Sequence, residues 1–267
     1  MSSVKDYKKL FVNELDWFSA RGHTPWQVFG DFLELGAIAL HQLPYNAGDF
    51  PKGETFQHYE SQYLERSGRY SRDELTRISA MTWYTNLALQ QEPRDFLGEI
   101  AGEQELLNQD GGQFFTPYSL CKVMAGFQFS NIESLVKEKG RVTVDDPASG
   151  GGAMLIAAAE ACMEQGIDPR THLQFHATDV SRNAFNMTYI QLAALDLQAT
   201  VRHGNTLSNE LWEARPTPQL RYFDQWRQQR LADIRSERAI EAMRRIITSD
   251  VVETSALEAT VSEPEVT

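Results

Sequence analysis

The sequence predicts an α/β fold: a helical N-terminal domain followed by a partial doubly wound, Rossmann-like core. Three observations predict it. The first hundred residues carry apolar positions at helical rather than alternating spacing. From about residue 141 to 207 short β-rich runs alternate with helical ones, the βαβαβ order of half a doubly wound sheet. Directly after the first of those strands stands the run "DPASGGGAML", with three consecutive glycines opening a helix.

The elements follow in order. "TPWQVFGDFLELGAIALHQL" starts with Thr24 as a candidate N-cap and Pro25 at the first helical position. "NAGDFPKGE" is a loop by its Gly, Pro and Asn content. "SRDELTRISAMTWYTNLALQ" opens with Ser71 and Glu74, the spacing of a capping box. "GQFFTPYSLCKVMAGFQ" reads as a loop and a helix from about Pro117. "RVTVDD", "LQFHATDV" and the start of "ATVRHGNTL" read as strands, and "SRNAFNMTYIQLAALDL" as a helix capped by Ser181. The expected organisation is a helical domain over 1–105, a core over 106–213, an arginine-rich helix within 214–247 and an acidic, disordered tail over 248–267.

The totals narrow the class. The 267 residues carry a net charge of −12, against a protein that coats nucleic acid non-specifically. Residues 214–247 nevertheless hold eight arginines against four acids, and the tail holds five acids and no base. The basic run reads either as phosphate contacts along a helix or as a solvated helix with interleaved ion pairs. No apolar run reaches membrane-span length, and the N-terminus reads as helix rather than signal peptide. Cys121 and Cys162 lack disulfide or metal spacing, so reduced thiols in a cytoplasmic protein are expected. His172 and His176 straddle the start of a strand, a poor geometry for a metal site, and no metal is expected.

In a doubly wound sheet, ligands sit beyond the carboxyl ends of the strands. Gly150, Gly151 and Gly152 allow close backbone approach to a ligand there, or close helix–strand packing. Asp179 ends the second strand, where an acid commonly binds the ribose of a nucleoside cofactor; its alternative role is a helix cap. Asn205 ends the third strand and could accept from an adenine amino group. Three polar loops at successive strand ends point at one cleft.

With these motifs in view, "GQFFTPYSL", "DPASGGGAML", "ATDVSRNAFNMTYIQLAAL" and "GNTL" resemble those of adenine-N6 DNA methyltransferases, most closely the modification subunit of type I restriction-modification systems. They cover residues 111–207 in that family's order, while the helical region before them resembles methylase-like proteins of mobile elements. The resemblance implies a methyltransferase core with S-adenosyl-L-methionine as cofactor. By it, Gln113, Phe114, Phe115, Thr116 and Pro117 would border the methionine end, with Thr116 and Pro117 as the main contacts. Asp146, Ala148, Ser149, Gly150 and Gly152 would form the loop beneath the methionine part, Asp179 would hold the ribose and Asn205 would face the adenine. The family usually has aspartate at Asn205, cysteine or alanine at Ser149 and threonine at Gly151.

One expected part is missing. Adenine N6 methylation flips the base out, stacks it on an aromatic ring and holds its amino group by side-chain and backbone acceptors. The family does so with an Asn/Asp-Pro-Pro-Phe/Tyr loop, and no such run follows Asn205; no catalytic residue is assigned. "EARPTPQLRYF" has prolines and aromatics that are not adjacent and do not follow a strand. The first strand is left as a possible bare edge. Two readings remain. The chain binds S-adenosyl-L-methionine and methylates adenine in DNA once a partner subunit completes the sheet or active site. Alternatively, it is a catalytically silent module with a regulatory, anti-restriction or DNA-transfer role.

Overall fold

The computed structural model describes residues 3–106 and 115–238. The expectations for Gln113, Phe114 and the acidic tail lie outside them, as does the last part of the arginine-rich helix. Among the described residues, those up to 221 form one compact unit and those from 222 on belong to a second.

Five helices lead the first unit: α1 (Val4–Ser19), α2 (Pro25–Asn46), α3 (Glu54–Ser67), α4 (Arg72–Gln91) and α5 (Phe96–Glu103). Capping boxes start α1 at Ser3 and Asp6, and α4 at Ser71 and Glu74. Thr24 is the N-cap of α2 by backbone geometry only, with no side-chain capping bond, and Pro25 fills the first turn. Phe11, Phe18, Phe29, Phe32 and Phe96 are fully buried, with Phe11 edge-on to Phe32 at 5.1 Å between centroids.

The second half runs α6 (Tyr118–Gln128), α7 (Ile132–Lys139), β1 (Val142–Asp146), α8 (Ala153–Glu164), α9 (Pro169–His172), β2 (Leu173–Asp179), α10 (Arg182–Ala194), β3 (Ala199–Asn205) and β4 (Glu210–Pro216). The strands lie side by side in chain order; β1, β2 and β3 are parallel and β4 is antiparallel to β3. Among the described residues β1 is a sheet edge. The parallel βαβαβ unit matches the expected partial Rossmann-like core.

β4 departs from the sequence reading. The stretch containing Glu213, Arg215 and Pro216 is a strand that runs through the boundary expected at residue 213. Pro216 is tolerated because it ends an edge strand. The hairpin turns at Asn209, whose φ of 57° suits asparagine. Arg215, counted in the basic run, is 0% exposed: it pairs with Glu213 at 2.7 Å and lies over the rings of Tyr59, Phe185 and Tyr189. Arg221 is also spent on the fold, donating to the His41 carbonyl and lying over Tyr45 and Phe50.

The sheet alternates in burial. Leu173, Phe175, Ala177, Ala199 and Val201 are buried, whereas Gln174, His176, Thr178, Thr200 and Arg202 are half-buried. A parallel sheet covered on both faces would be apolar on both. Here the second face carries a polar ladder, in which Arg202 donates to His176 Nδ1 at 2.6 Å and stands 3.7 Å from Asp145.

The helical region is not a separate body. α10 packs on α2, α4 and α5 as well as on β2 and β3. Arg182 at the start of α10 donates to both Glu34 oxygens, at 3.0 and 2.7 Å, and pairs with Glu213. Asn186 adds a bond of 2.8 Å to Glu34. Burial pushes the Glu213 carboxyl up, but Arg215 and Arg182 outweigh it and hold it at about 2. In the second unit, residues 222–238 are helical and the Phe223 ring lies tilted against Trp226, 5.8 Å between centroids.

Candidate functional site: the glycine loop between β1 and α8

The loop from Asp146 to Gly152 turns the chain from β1 into α8. Gly150 and Gly152 have φ of 54° and 91°, a region that penalises any side chain. The Asp146 carboxylate accepts from Ala148 N at 3.1 Å, Ser149 N donates to Thr178 O at 3.0 Å and Gly152 N donates to Ser149 O at 2.8 Å. Three side chains fix the turn from outside it. Asp179 accepts from Gly150 N at 2.8 Å, Thr188 donates to Gly150 O at 2.9 Å and Gln191 donates to Gly151 O at 2.7 Å.

Space around the loop is tight. A Cβ on Gly150 would lie 3.1 Å from the Phe115 ring, one on Gly151 3.1 Å from Asp95 Oδ1, and one on Gly152 3.2 Å from Thr188. The structure therefore brings together Phe115, Asp146, Ser149, Gly150, Gly152 and Asp179. Ala148 is exposed at the loop tip. Thr116 and Pro117 are exposed at the start of α6, with no hydrogen bond to the loop among the described residues.

Asp179 bonds backbone at the glycine loop and just before α10. One carboxylate oxygen holds the loop at Gly150, and the other accepts from Ser181 N at 2.8 Å. Ser181 caps α10 itself, accepting from Ala184 N. Burial pushes the Asp146 carboxyl up, and Asp145 and Asp179 push it the same way. Asn205 is engaged differently from the expectation: its side-chain oxygen accepts from Leu207 N at 3.0 Å and Ser208 N at 3.3 Å, closing a turn. Thr206 ties that turn to the glycine loop by a 2.7 Å bond to Pro147 O. An open cavity of about 270 Å³ lies nearby, lined by Asp145, Pro147, Thr178, Arg202, Asn205 and Thr206.

The sequence reading did not single out Asp95, Val180, Thr188 or Gln191. Thr188 and Gln191 share one face of α10, and their spacing was legible, but their partners lie 38 and 40 residues away. Val180 is a 60% exposed apolar residue directly after Asp179. Its carbonyl oxygen lies 3.2 Å from His203 Nε2.

The Ser149 hydroxyl tests whether a ligand fits. It is buried, yet it has no hydrogen-bond partner among the described residues. A buried polar atom without a partner is costly, and a ligand's polar group would satisfy it. No group of three or more His, Cys, Asp or Glu residues with metal-site geometry occurs among the described residues. Among them no helix is long and apolar enough to cross a membrane.

A parallel βαβαβ unit with a preset glycine loop and an acid at the next strand end defines a nucleoside-cofactor-binding α/β protein. The sequence model of N-6 DNA methylases matches residues 96–228. The chain belongs to this adenine-N6 DNA methyltransferase family, whose cofactor is S-adenosyl-L-methionine. Two solved structures are similar. One is the type I restriction-modification methyltransferase subunit from Streptococcus thermophilus, at 12% identity and a TM-score of 0.37, covering 73% of this chain and 57% of that one. The other, from Listeria monocytogenes, is described as a class I S-adenosylmethionine-dependent methyltransferase; it has 15% identity and a TM-score of 0.34, covering 70% and 56%. The chain thus spans a little over half the length of each. No curated protein matches the chain.

Proposed function

We propose that the chain holds S-adenosyl-L-methionine over the glycine loop and methylates adenine N6 in DNA when a partner polypeptide completes the base-binding side. The observation that carries this reading is the loop itself: its backbone is fixed by Asp179, Thr188 and Gln191 while the Ser149 hydroxyl inside it has no partner among the described residues.

When bound, the cofactor supplies an electrophilic methyl group on a sulfonium. The chain's residues bind and orient. Ser149 and the loop backbone would take the methionine part, with Phe115 and the Thr116–Pro117 turn along its side. Asp179 gives one oxygen to Gly150 N and one to Ser181 N, and the remaining lone pairs suit a ribose diol. Val180 offers an apolar surface to the adenine ring. Asn205 would meet that ring only through its amide group, because its oxygen is committed to the turn.

Holding the target base needs an acceptor for its amino group and an aromatic platform. The sequence after Asn205 has no Asn/Asp-Pro-Pro-Phe/Tyr run, and β1 is an edge strand among the described residues. The reading assigns that loop to a partner whose strand would pair with β1. A DNA substrate also carries the expectation of a cytoplasmic location. The silent-module reading is favoured by one fact, the absence of that run from this chain.

Transfer of labelled methyl groups to unmethylated DNA, by the protein alone and with proteins that co-purify with it, separates the two. Label in N6-methyladenine in a reconstituted mixture supports the enzyme. Cofactor binding with no transfer in any mixture supports the silent module.

A further inference from the structure

Two uncovered surfaces meet at one margin of the sheet. The first is the outer face of α6. Leu120, Val123, Met124 and Phe127 stand at the i, i+3, i+4 and i+7 positions of one helical stripe. They are 49%, 57%, 47% and 79% exposed, while Cys121 and Ala125 on the inner side of the helix are buried. A contiguous exposed apolar patch marks an interaction site. The second surface is β1, a sheet edge among the described residues. An edge strand offers its backbone donors and acceptors to another strand. The two surfaces are neighbours: α6 packs on α8, α8 packs on β1 and β2, and α7, which follows α6, packs on β1. Val142 and Val144 are in register with the buried Leu173 and Phe175, so they belong to the face that α8 covers; Thr143 and Asp145 belong to the polar face.

We propose that a second copy of this chain covers both surfaces, in a two-fold dimer that pairs β1 with β1 antiparallel and packs the two α6 stripes against each other. A two-fold axis perpendicular to the sheet keeps both α8 faces on one side, so residues opposite each other across the axis must belong to the same face. Three registers meet that condition near the middle of β1. Centring on Asp145 sets carboxylate against carboxylate, which is unfavourable. Centring on Val144 sets Val142 against Asp146 of the second copy. Centring on Thr143 sets Val142 against Val144 and Arg141 against Asp145, each pair twice, so apolar meets apolar and opposite charges meet. Of the three, this register makes the edge its own complement. Because β1 has one free edge, the dimer excludes any other polypeptide from it. The dimer stands on these surfaces and not on the cofactor reading.

The test is sedimentation of the full chain over a range of concentrations, with variants on each surface. The wild type should sediment at twice the mass of one chain. Val123→Asp with Phe127→Asp should weaken the dimer by about a hundredfold or more, because the contact would bury unpaired carboxylates. Both side chains are exposed in the single chain, so circular dichroism and the melting temperature at dilution should match the wild type. Thr143→Cys should form a disulfide-linked dimer on mild oxidation, since directly opposed residues of an antiparallel pair lie within disulfide range. Asp145→Cys should not, because the register holds the two copies of that residue about four residues apart along the strands. Cys121 and Cys162 are buried and should leave the wild type unlinked. A wild type that sediments as one chain at every concentration would overturn the proposal and leave the two surfaces to another polypeptide. A dimer that the α6 substitutions leave intact, or linkage through Asp145→Cys and not Thr143→Cys, would also overturn it.

Discussion

Gln191 donates its side-chain amide to the carbonyl oxygen of Gly151 at 2.7 Å. The same amide reaches Asp95 at 2.8 Å, and the Gln191 carbonyl accepts from Leu97 N at 2.9 Å. One fully buried glutamine thereby joins α10, the start of α5 and the glycine loop.

Gln191→Met keeps the volume but leaves Gly151 O, Leu97 N and Asp95 each short of a partner in a buried site. The expected loss of stability is about 2–4 kcal/mol. Urea unfolding checks it by the shift in midpoint at constant slope.

Ser149→Ala removes a buried hydroxyl that has no hydrogen-bond partner among the described residues. Stability of the free protein should hold to within about 0.5 kcal/mol or rise slightly, because an unsatisfied polar group has been taken out of the interior. Affinity for S-adenosyl-L-methionine should fall several-fold. Thermal unfolding with and without the ligand reads both: an unchanged midpoint alone and a smaller ligand-induced rise.

Arg215→Met leaves Glu213 with Arg182 but strips the charge from the aromatic box of Tyr59, Phe185 and Tyr189. Removing one partner of a buried ionic network costs about 3–5 kcal/mol. Denaturation should show the loss. DNA affinity of the variant that remains folded should be unaffected, because this arginine never reaches solvent.

His41 gives the protein a pH dependence. Burial, with Arg215 and Arg221 nearby, holds its pKa down at about 3, against an ordinary 6.5. The unfolded chain therefore takes up a proton that the folded ring refuses, and stability falls as pH drops from about 6.5 towards 3. Glu213 adds a loss of the same sign between its ordinary 4.5 and about 2. His41→Phe, packed among Tyr45, Tyr59 and Tyr189, should flatten the melting-temperature profile above pH 5, where Glu213 contributes little.

Local chemistry was the legible part of the sequence. Ser71 and Glu74 form the capping box their spacing announced, and Ser181 caps α10. Gly150 and Gly152 take up the left-handed backbone that justifies glycine. Features set by distant partners were hidden. β4 reads as a proline-bearing charged loop because its pairing with β3 is what makes it a strand. Arg215 reads as a surface cation because the rings that enclose it come from α3 and α10. Gln174, His176 and Arg202 alternate with apolar neighbours, the mark of a sheet with one polar face. The role of Asn205 followed from its place at a strand end, whereas Leu207 N and Ser208 N claim its oxygen first.

The central claim is that the loop from Asp146 to Gly152 holds S-adenosyl-L-methionine. Calorimetric titration of the wild type and of Asp179→Ala tests it most directly, since Asp179 fixes Gly150 N at 2.8 Å and faces the expected ribose position. The account predicts micromolar binding to the wild type and its loss in the variant. No binding to folded wild-type protein, or binding that Asp179→Ala leaves unchanged, would contradict it.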